Sequence, residues 1–498
     1  MKFLSYLRVL LTTTLTLILS VPSYLRVGLT TTLNILLYAV TRRRCIWLEG
    51  RVRGGVFRNW IRHFRYRPEK FVRPTTEEEI VELVKSSRSL RLFGAGHSFN
   101  EGVVSDDTLI SLDKFSGKIW IDKNKKQIAV KGGTRIRDVA KELLKEGLAF
   151  RALPSHDAQS IAGILSTDVH GTGRILETEE EKNWGFVSQS VVGLKLIDGK
   201  GAVHECRPSD DLFKAAIGGI GAVGIITEVV VQGVERFNVQ QKFERRDISF
   251  DKETFDKLVN DCLRKNDHFS LYLFPFANRC QINTWNRTDC EQTFLGDLKE
   301  DVSISLDALL AAWFGNLIAY MRLLPKLSYW IYGLKKRGTD LVLESNKAFN
   351  RTIYHQHQEL EFTVPFEDTF ECCRRLKELY EQSYRRSGLP YTLIEVRFTP
   401  DNHDRTLIGA GRDRRCAWID LICNDSRGYR KYYAEAEQFM KEVGARPHLG
   451  KFCQSFGPAD MAKLHGDNFT QFLTLVKKHD PEGKFANKFT RRLFGQVV

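Results

Sequence analysis

No two of the ten cysteines form a CxxC pair, so a zinc ribbon or a thioredoxin-type redox motif has no footing in this chain. The one close pair, Cys372-Cys373, is adjacent in sequence, which suits neither a metal knuckle nor an ordinary disulfide. The thiols are expected to be free, as in a reducing compartment. Acidic residues are missing before Glu49. Residues 1–70 hold 13 Lys/Arg against Glu49 and Glu69, a net of +11, while the remainder carries a net of only +3. A nucleic-acid binder carries its basic patch on the folded domain. An excess beside an apolar segment reads instead as membrane topology or membrane-surface charge, and nucleic acid is not an expected partner. No metal is called for either: His355-Gln356-His357 looks like a ligand pair but lacks further partners, and reads as structural.

What the N-terminus does have is a tandem repeat. Residues 5–19 (SYLRVLLTTTLTLIL) and 23–37 (SYLRVGLTTTLNILL) match at eleven of fifteen positions, offset by 18. Eighteen residues make five helical turns, so one continuous helix would align Arg8 with Arg26, although Pro22 interrupts it. Each apolar run is short for a ~30 Å hydrocarbon core. A membrane anchor over residues 1–41 is the expectation. A hairpin, an interfacial helix and a cleaved leader are the alternatives. Residues 42–66 read as a basic, aromatic connector at the membrane surface.

From residue 67 the pattern is that of an α+β protein. A helix is predicted from about 77 to 87, with acids in its first turn, and another over 137–146, closed by Gly147. Strands are predicted at 90–93, 109–112 and 127–130. From about 237 the texture changes. Residues 306–334 are apolar and aromatic and run into Lys335-Lys336-Arg337, which suits either a membrane-interface surface or core helices. Strands are expected at 391–398 and 416–423, and a helix over 429–443.

Three glycine-rich runs mark the first domain: Gly94-Ala95-Gly96-His97-Ser98, then Asp168-Val169-His170-Gly171-Thr172-Gly173, then Gly218-Gly219-Ile220-Gly221. Glycines let backbone amides approach a phosphate or a flat ring. None of the runs is a phosphate loop or sits in a Rossmann setting, so together they point to one extended cofactor. In the second domain Glu395 and Arg397 lie two apart on a predicted strand and share a face. Two charges there are costly unless the face lines a polar pocket.

In this order, with Arg446-Pro447-His448-Leu449-Gly450-Lys451 and Asp480-Pro481-Glu482-Gly483-Lys484-Phe485 following, the runs resemble the vanillyl-alcohol-oxidase-type (PCMH-type) FAD-linked family, and within it the sugar-1,4-lactone oxidases. The resemblance spans residues 68–494. It implies a two-domain FAD-binding fold, residues 67–236 holding the cofactor and 237–498 forming an antiparallel-sheet substrate cap, added to the N-terminal membrane segment. It implies FAD held covalently through His97, with Gly94, Ala95, Gly96, Ser98, Asp168, His170, Gly171, Thr172, Gly173 and Ile225 (or Ile226) as contacts. Arg397 would stabilise developing negative charge, Glu395 would bind substrate hydroxyls, and Lys451 would add a second cation over the ring.

The implied reaction is oxidation of a CH–OH group of an aldono-1,4-lactone or related sugar, with hydride passing to the flavin and electrons to oxygen or another acceptor. An alditol oxidase and an oxidase of a lipid-linked sugar are the enzymatic alternatives. A degenerate flavin-fold scaffold is the non-enzymatic one. The chain departs from the family pattern at three places. Leu449 replaces a common Trp, Ile419 and Leu421 suggest a more apolar pocket than in alditol oxidases, and Pro154 stands where a small residue admits dioxygen in some relatives.

Overall fold

The computed structural model describes residues 23–41, 49–173, 184–315, 339–350, 355–387, 392–424 and 428–496. The first copy of the tandem repeat and most of the 306–334 run lie outside them. The second copy is a helix, α1 (Ser23–Thr41). Among the described residues no helix is long and apolar enough to cross a membrane, which removes support for a spanning anchor. The reason is visible in α1 itself. Thr30, Thr31 and Asn34 are buried, and the Trp313 indole donates to Thr32 at 3.0 Å while packing where a Gly28 side chain would stand. The Tyr38 hydroxyl reaches Asp301 at 3.3 Å. With Thr32 and Tyr38 bonded to side chains of the second domain, α1 is seated on protein.

Residues 49–66 are woven into the first domain. Arg51–Arg53, Val56–Arg58 and Arg65–Tyr66 form a small antiparallel sheet. Phe57, Trp60 and Ile61 are buried, and Glu49 pairs with Arg135 at 2.8 Å. Arg53 and Arg65 are exposed, while Phe57 and Trp60 anchor the segment.

Three strands, β1 (Lys70–Val72), β2 (Leu90–Phe93) and β3 (Thr108–Ser111), form a parallel sheet in the order β1-β3-β2. Between β1 and β2 runs α2 (Glu77–Ser86), capped by Thr76, whose side chain accepts the Glu79 amide, with Ile80, Leu83 and Val84 buried. A five-stranded antiparallel sheet follows. It comprises β4 (Lys118–Asp122), β5 (Gln127–Lys131), β6 (Val191–Ile197), β7 (Val203–Cys206) and β8 (Ile225–Gln232), in the order β7-β6-β8-β5-β4. The helix α3 (Ile136–Lys145) buries Ile136, Val139, Ala140 and Leu143, the 3–4 spacing of an amphipathic face.

The second domain is built on an eight-stranded antiparallel sheet. In chain order it holds β9 (Asn238–Asp247), β10 (His268–Leu273), β11 (Arg279–Thr288), β12 (Asp340–Glu344), β13 (His357–Pro365), β14 (Thr392–Thr399), β15 (Cys416–Asn424) and β16 (Arg446–Pro447). The spatial order is β12-β9-β11-β10-β14-β15-β13-β16. One face packs on the helices Thr369–Ser387 and Tyr429–Glu442, burying Leu376, Tyr380, Tyr432, Tyr433 and Met440. The helix α4 (Gly296–Leu310) receives α1. Nine cysteines are described, all unpaired and most of them buried.

Candidate active site

The turn after β2 places His97. The Gly50 amide donates to the Ala95 carbonyl at 2.7 Å, and the Trp60 amide to the Gly96 carbonyl at 3.1 Å. Gly96 has φ +65°, and a side chain there would meet Gly50 Cα at 2.6 Å, so only glycine fits. The buried His97 ring lies flat against Trp60, with centroids 5.1 Å apart and planes 7° from parallel. The neighbouring Asn100 amide donates to the carbonyls of Leu449 (2.7 Å) and Lys451 (2.8 Å), tying this turn to the Lys451 loop.

A long cavity runs along the turn. Gly94, Ala95, Gly96, His97, Ser98, Gly221, Gly224, Ile225 and Ile226 line it, as do His170, Arg397, His448 and Lys451 at the cap end. Its acidic lining residues are Glu359 and Glu361, both from the cap; the wall from the first domain has none. A dinucleotide needs a long groove, backbone at the pyrophosphate and no carboxylate beside it, and this wall meets each requirement. Arg91 holds the groove together from behind, donating to the carbonyls of Gly102 (2.6 Å), Phe485 (2.6 Å) and Ile220 (2.7 Å). Through Phe485 the C-terminal segment returns to the groove.

Not all residues of the second glycine run reach it. Gly171 and Thr172 line the neighbouring cavity, and Asp168 and Gly173 line neither. A Gly173 side chain would collide with the Trp184 carbonyl at 1.5 Å. Asp168 is buried and turned toward the cap, with φ +48°. It accepts Ser188 Oγ at 2.9 Å and the Asn402 amide at 3.1 Å. Burial pushes its carboxyl up to about 7 against these two bonds.

The cap wall is a row of charge. Register puts Glu361, Asp420 and Glu395 side by side across β13, β15 and β14. Arg397 clasps Glu395 with two bonds of 2.8 Å. Burial alone would lower the Arg397 guanidinium, but Glu395 and then Glu361 and Asp420 raise it well above its ordinary value. Lys451 Nζ contacts Glu359 and lies 3.7 Å from Glu361. Burial pulls that ammonium down to about 7. Burial, and then Glu361 beside it, drive the Asp420 carboxyl well above its ordinary value.

His170 stacks on Trp418 with centroids 3.6 Å apart. Its Nδ1 donates to the Gly171 carbonyl at 2.8 Å, and its Nε2 lies 3.2 Å from a Glu361 carboxylate oxygen. His448 Nδ1 accepts the Gly450 amide at 3.0 Å. His170, Glu361 and His448 are all buried, with one nitrogen or carboxylate oxygen from each within 4.8 Å of the others.

A second cavity meets the first at Ser155, His156, Glu359 and Arg397. Its polar lining includes Glu395, His268, Ser270, Gln281, His355 and His357, and its far side includes Trp285, Ile304, Ala308 and Phe349. Ile419 and Leu421, expected in the pocket, are buried in the core on the opposite face, and Asp420 between them faces the charged row. The sequence reading was one residue out of register, and a strand's period of two turns that into the wrong face. Glu359, Glu361 and His448 were missed too. Glu359-Leu360-Glu361 carries the same alternation as Glu395-Val396-Arg397 and would have flagged that strand.

Fold and groove together define a two-domain FAD-dependent oxidoreductase. A family model for an FAD binding domain matches residues 68–207, and one for D-arabinono-1,4-lactone oxidase matches residues 229–493. The chain belongs to the D-arabinono-1,4-lactone oxidase family. It is 26% identical to the L-gulono-1,4-lactone dehydrogenase of Mycobacterium tuberculosis, over 88% of this chain and 99% of that one. It is also 26% identical to the L-gulonolactone oxidase of Mus musculus, over 89% and 99%. Its fold matches the crystal structure of cholesterol oxidase from Brevibacterium sterolicum, with TM-score 0.69 and 17% identity over 89% of this chain and 97% of that one.

Proposed function

We propose that this enzyme oxidises the carbon-2 hydroxyl of an aldono-1,4-lactone. The observation that carries the reading is Arg397, which lines both cavities and is locked to Glu395 by a two-bond clasp. FAD, when bound, supplies the two-electron acceptor that takes hydride at N5. His97, held flat by Trp60, would be its covalent attachment point, and the groove from Gly94 to Ser98 and at Ile225 would receive the rest. Glu395 binds the substrate hydroxyl and draws its proton. Arg397 offsets the negative charge that grows as the proton leaves. Lys451, titrating near 7, is poised to exchange a proton with Glu359.

Anaerobic addition of aldonolactones and polyols to the purified yellow protein tests the reaction: bleaching by lactones is expected, and a spectrum unmoved by any of them overturns it. The covalent bond has its own test. Acid precipitation should leave flavin on the wild-type protein and release it from His97→Ala. A lipid-linked sugar is a second reading, favoured by the apolar far side of the second cavity, at Ile304, Ala308 and Phe349. Pro154 lines the flavin groove, and faster air reoxidation in Pro154→Ala would mark it as the barrier that separates dehydrogenase from oxidase behaviour.

A further inference from the structure

A row of polar side chains crosses four strands of the cap sheet. Arg245 on β9 stands opposite Gln281 on β11, Asn283 on β11 opposite Ser270 on β10, and Ser270 opposite Arg397 on β14. Gln281, Asn283 and Ser270 are buried. Their bonds run in one direction. The Arg245 guanidinium can only donate, so its Nε bond of 2.8 Å fixes the amide oxygen of Gln281 toward it. Gln281 Nε2 then donates to Asn283 Oδ1 at 2.7 Å, and Asn283 Nδ2 donates to Ser270 Oγ at 3.0 Å. Each amide is set by the one before it, and the row ends on Ser270 as an acceptor. The single proton of the Ser270 hydroxyl is left to give away, and among the described residues no side chain takes it. Ser270 lines the second cavity together with Glu395 and Arg397. Arg397 spends Nε and Nη2 on Glu395, which leaves its Nη1 as a second donor on the same wall.

We propose that Ser270 is the donor that recognises the lactone carbonyl oxygen, and that it selects lactones over ring ethers and polyols with the same hydroxyls. The inference rests on the proposed reaction. There the carbon-2 hydroxyl gives its proton to Glu395, and the carbonyl is its immediate neighbour at carbon 1. A carbonyl oxygen accepts and has no proton of its own, so it suits a wall of donors. A substrate hydroxyl in that place would bring a proton with no acceptor to meet it, and a buried polar group left unpaired is what makes a site reject the wrong ligand. A serine ordinarily donates or accepts as its ligand requires, and so would not tell a carbonyl from a hydroxyl. The row removes that choice. Arg245, with no part in the cavity wall, thereby sets what the site can read.

The test uses the full-length flavin-loaded enzyme and two ligands: an aldono-1,4-lactone, and the 1,4-anhydroalditol that keeps the ring and hydroxyls but lacks the carbonyl. In the wild type the anhydroalditol should compete more weakly than the lactone binds. Ser270→Ala should raise KM for the lactone roughly three- to tenfold, with kcat changed less, because the lost bond is made in ground state and transition state alike. The inhibition constant of the anhydroalditol should stay at its wild-type value. Asn283→Asp keeps the side-chain shape but turns the end of the row round, since a carboxylate there accepts from Ser270. It should weaken the lactone at least as much and again spare the anhydroalditol, and it serves if the alanine variant does not fold. Equal weakening of both ligands overturns the inference, as does an unchanged lactone KM. Should neither variant fold, an anhydroalditol that binds the wild type as tightly as the lactone overturns it. A wild-type flavin that no lactone bleaches strikes the reaction reading, and this inference with it. Intact wild-type lactone turnover with no discrimination between the ligands strikes this inference alone.

Discussion

The flavin-side wall of the groove carries no carboxylate and is built largely of backbone, glycine and small side chains from short consecutive runs. The cap-side wall is built of Glu359, Glu361, Arg397, His448 and Lys451, drawn from separate elements and backed by Asp420. One wall is local in the chain, and the other exists only once strands are in register. The first holds an anionic cofactor by close approach, and needs shape. The second must handle a proton and a developing charge, and needs titrating groups held by one another. The walls should therefore fail differently when broken.

The largest effect is expected on the flavin side. Trp60 is fully buried against His97, and Trp60→Ala should cost about 3–5 kcal/mol of stability, read by urea unfolding. Covalent flavin should fall with it, because the ring that holds His97 flat is gone. Stability lost with flavin attachment unchanged would show that Trp60 only fills space. On the cap side Arg397→Ala should lower kcat/KM on the order of 10²–10³-fold while flavin remains bound. Loss of flavin in that variant would break the separation of the two walls.

This difference also explains what could be read from sequence. The Gly94–Ser98 run was legible because a tight turn needs adjacent residues of special type, and adjacency survives in one dimension. Strands and helices such as β2, α3 and β15 were legible from period and caps, to within a residue or two at their ends. The row Glu361-Asp420-Glu395 was not, since it depends on register among three strands, and a one-residue slip put Ile419 and Leu421 where Asp420 belongs. Residues 49–66 misled for a different reason: basic composition hid Phe57, Trp60 and Ile61, which decide where the segment packs. Asp168 misled by its neighbours. It lies inside a glycine run, yet its side chain turns to the cap.

That last residue joins the two walls, so it sharpens the comparison. Asp168→Ala should cost about 1–3 kcal/mol, because Asn402 and Ser188 lose their buried acceptor. Flavin content should stay near the wild-type level. A colourless Asp168→Ala protein with wild-type stability would return Asp168 to the cofactor's contacts.

The smallest effect concerns acid. Burial holds His448 at about 4, and the Gly450 amide occupies its Nδ1, so protonation would set two N–H groups against each other. The unfolded chain takes up this proton near 6.5 and the folded one does not until about pH 4. Unfolded protein thus binds more protons throughout that window, and stability must fall as pH drops through it. Between pH 6.5 and 5 the loss from this residue is about 1–2 kcal/mol. In His448→Asn the amide keeps an acceptor while the titrating group is removed, so the slope of urea stability against pH should fall by nearly one proton in that range. An unchanged slope would place the acid sensitivity outside the cap wall, with the backbone-lined side no longer the less pH-sensitive of the two.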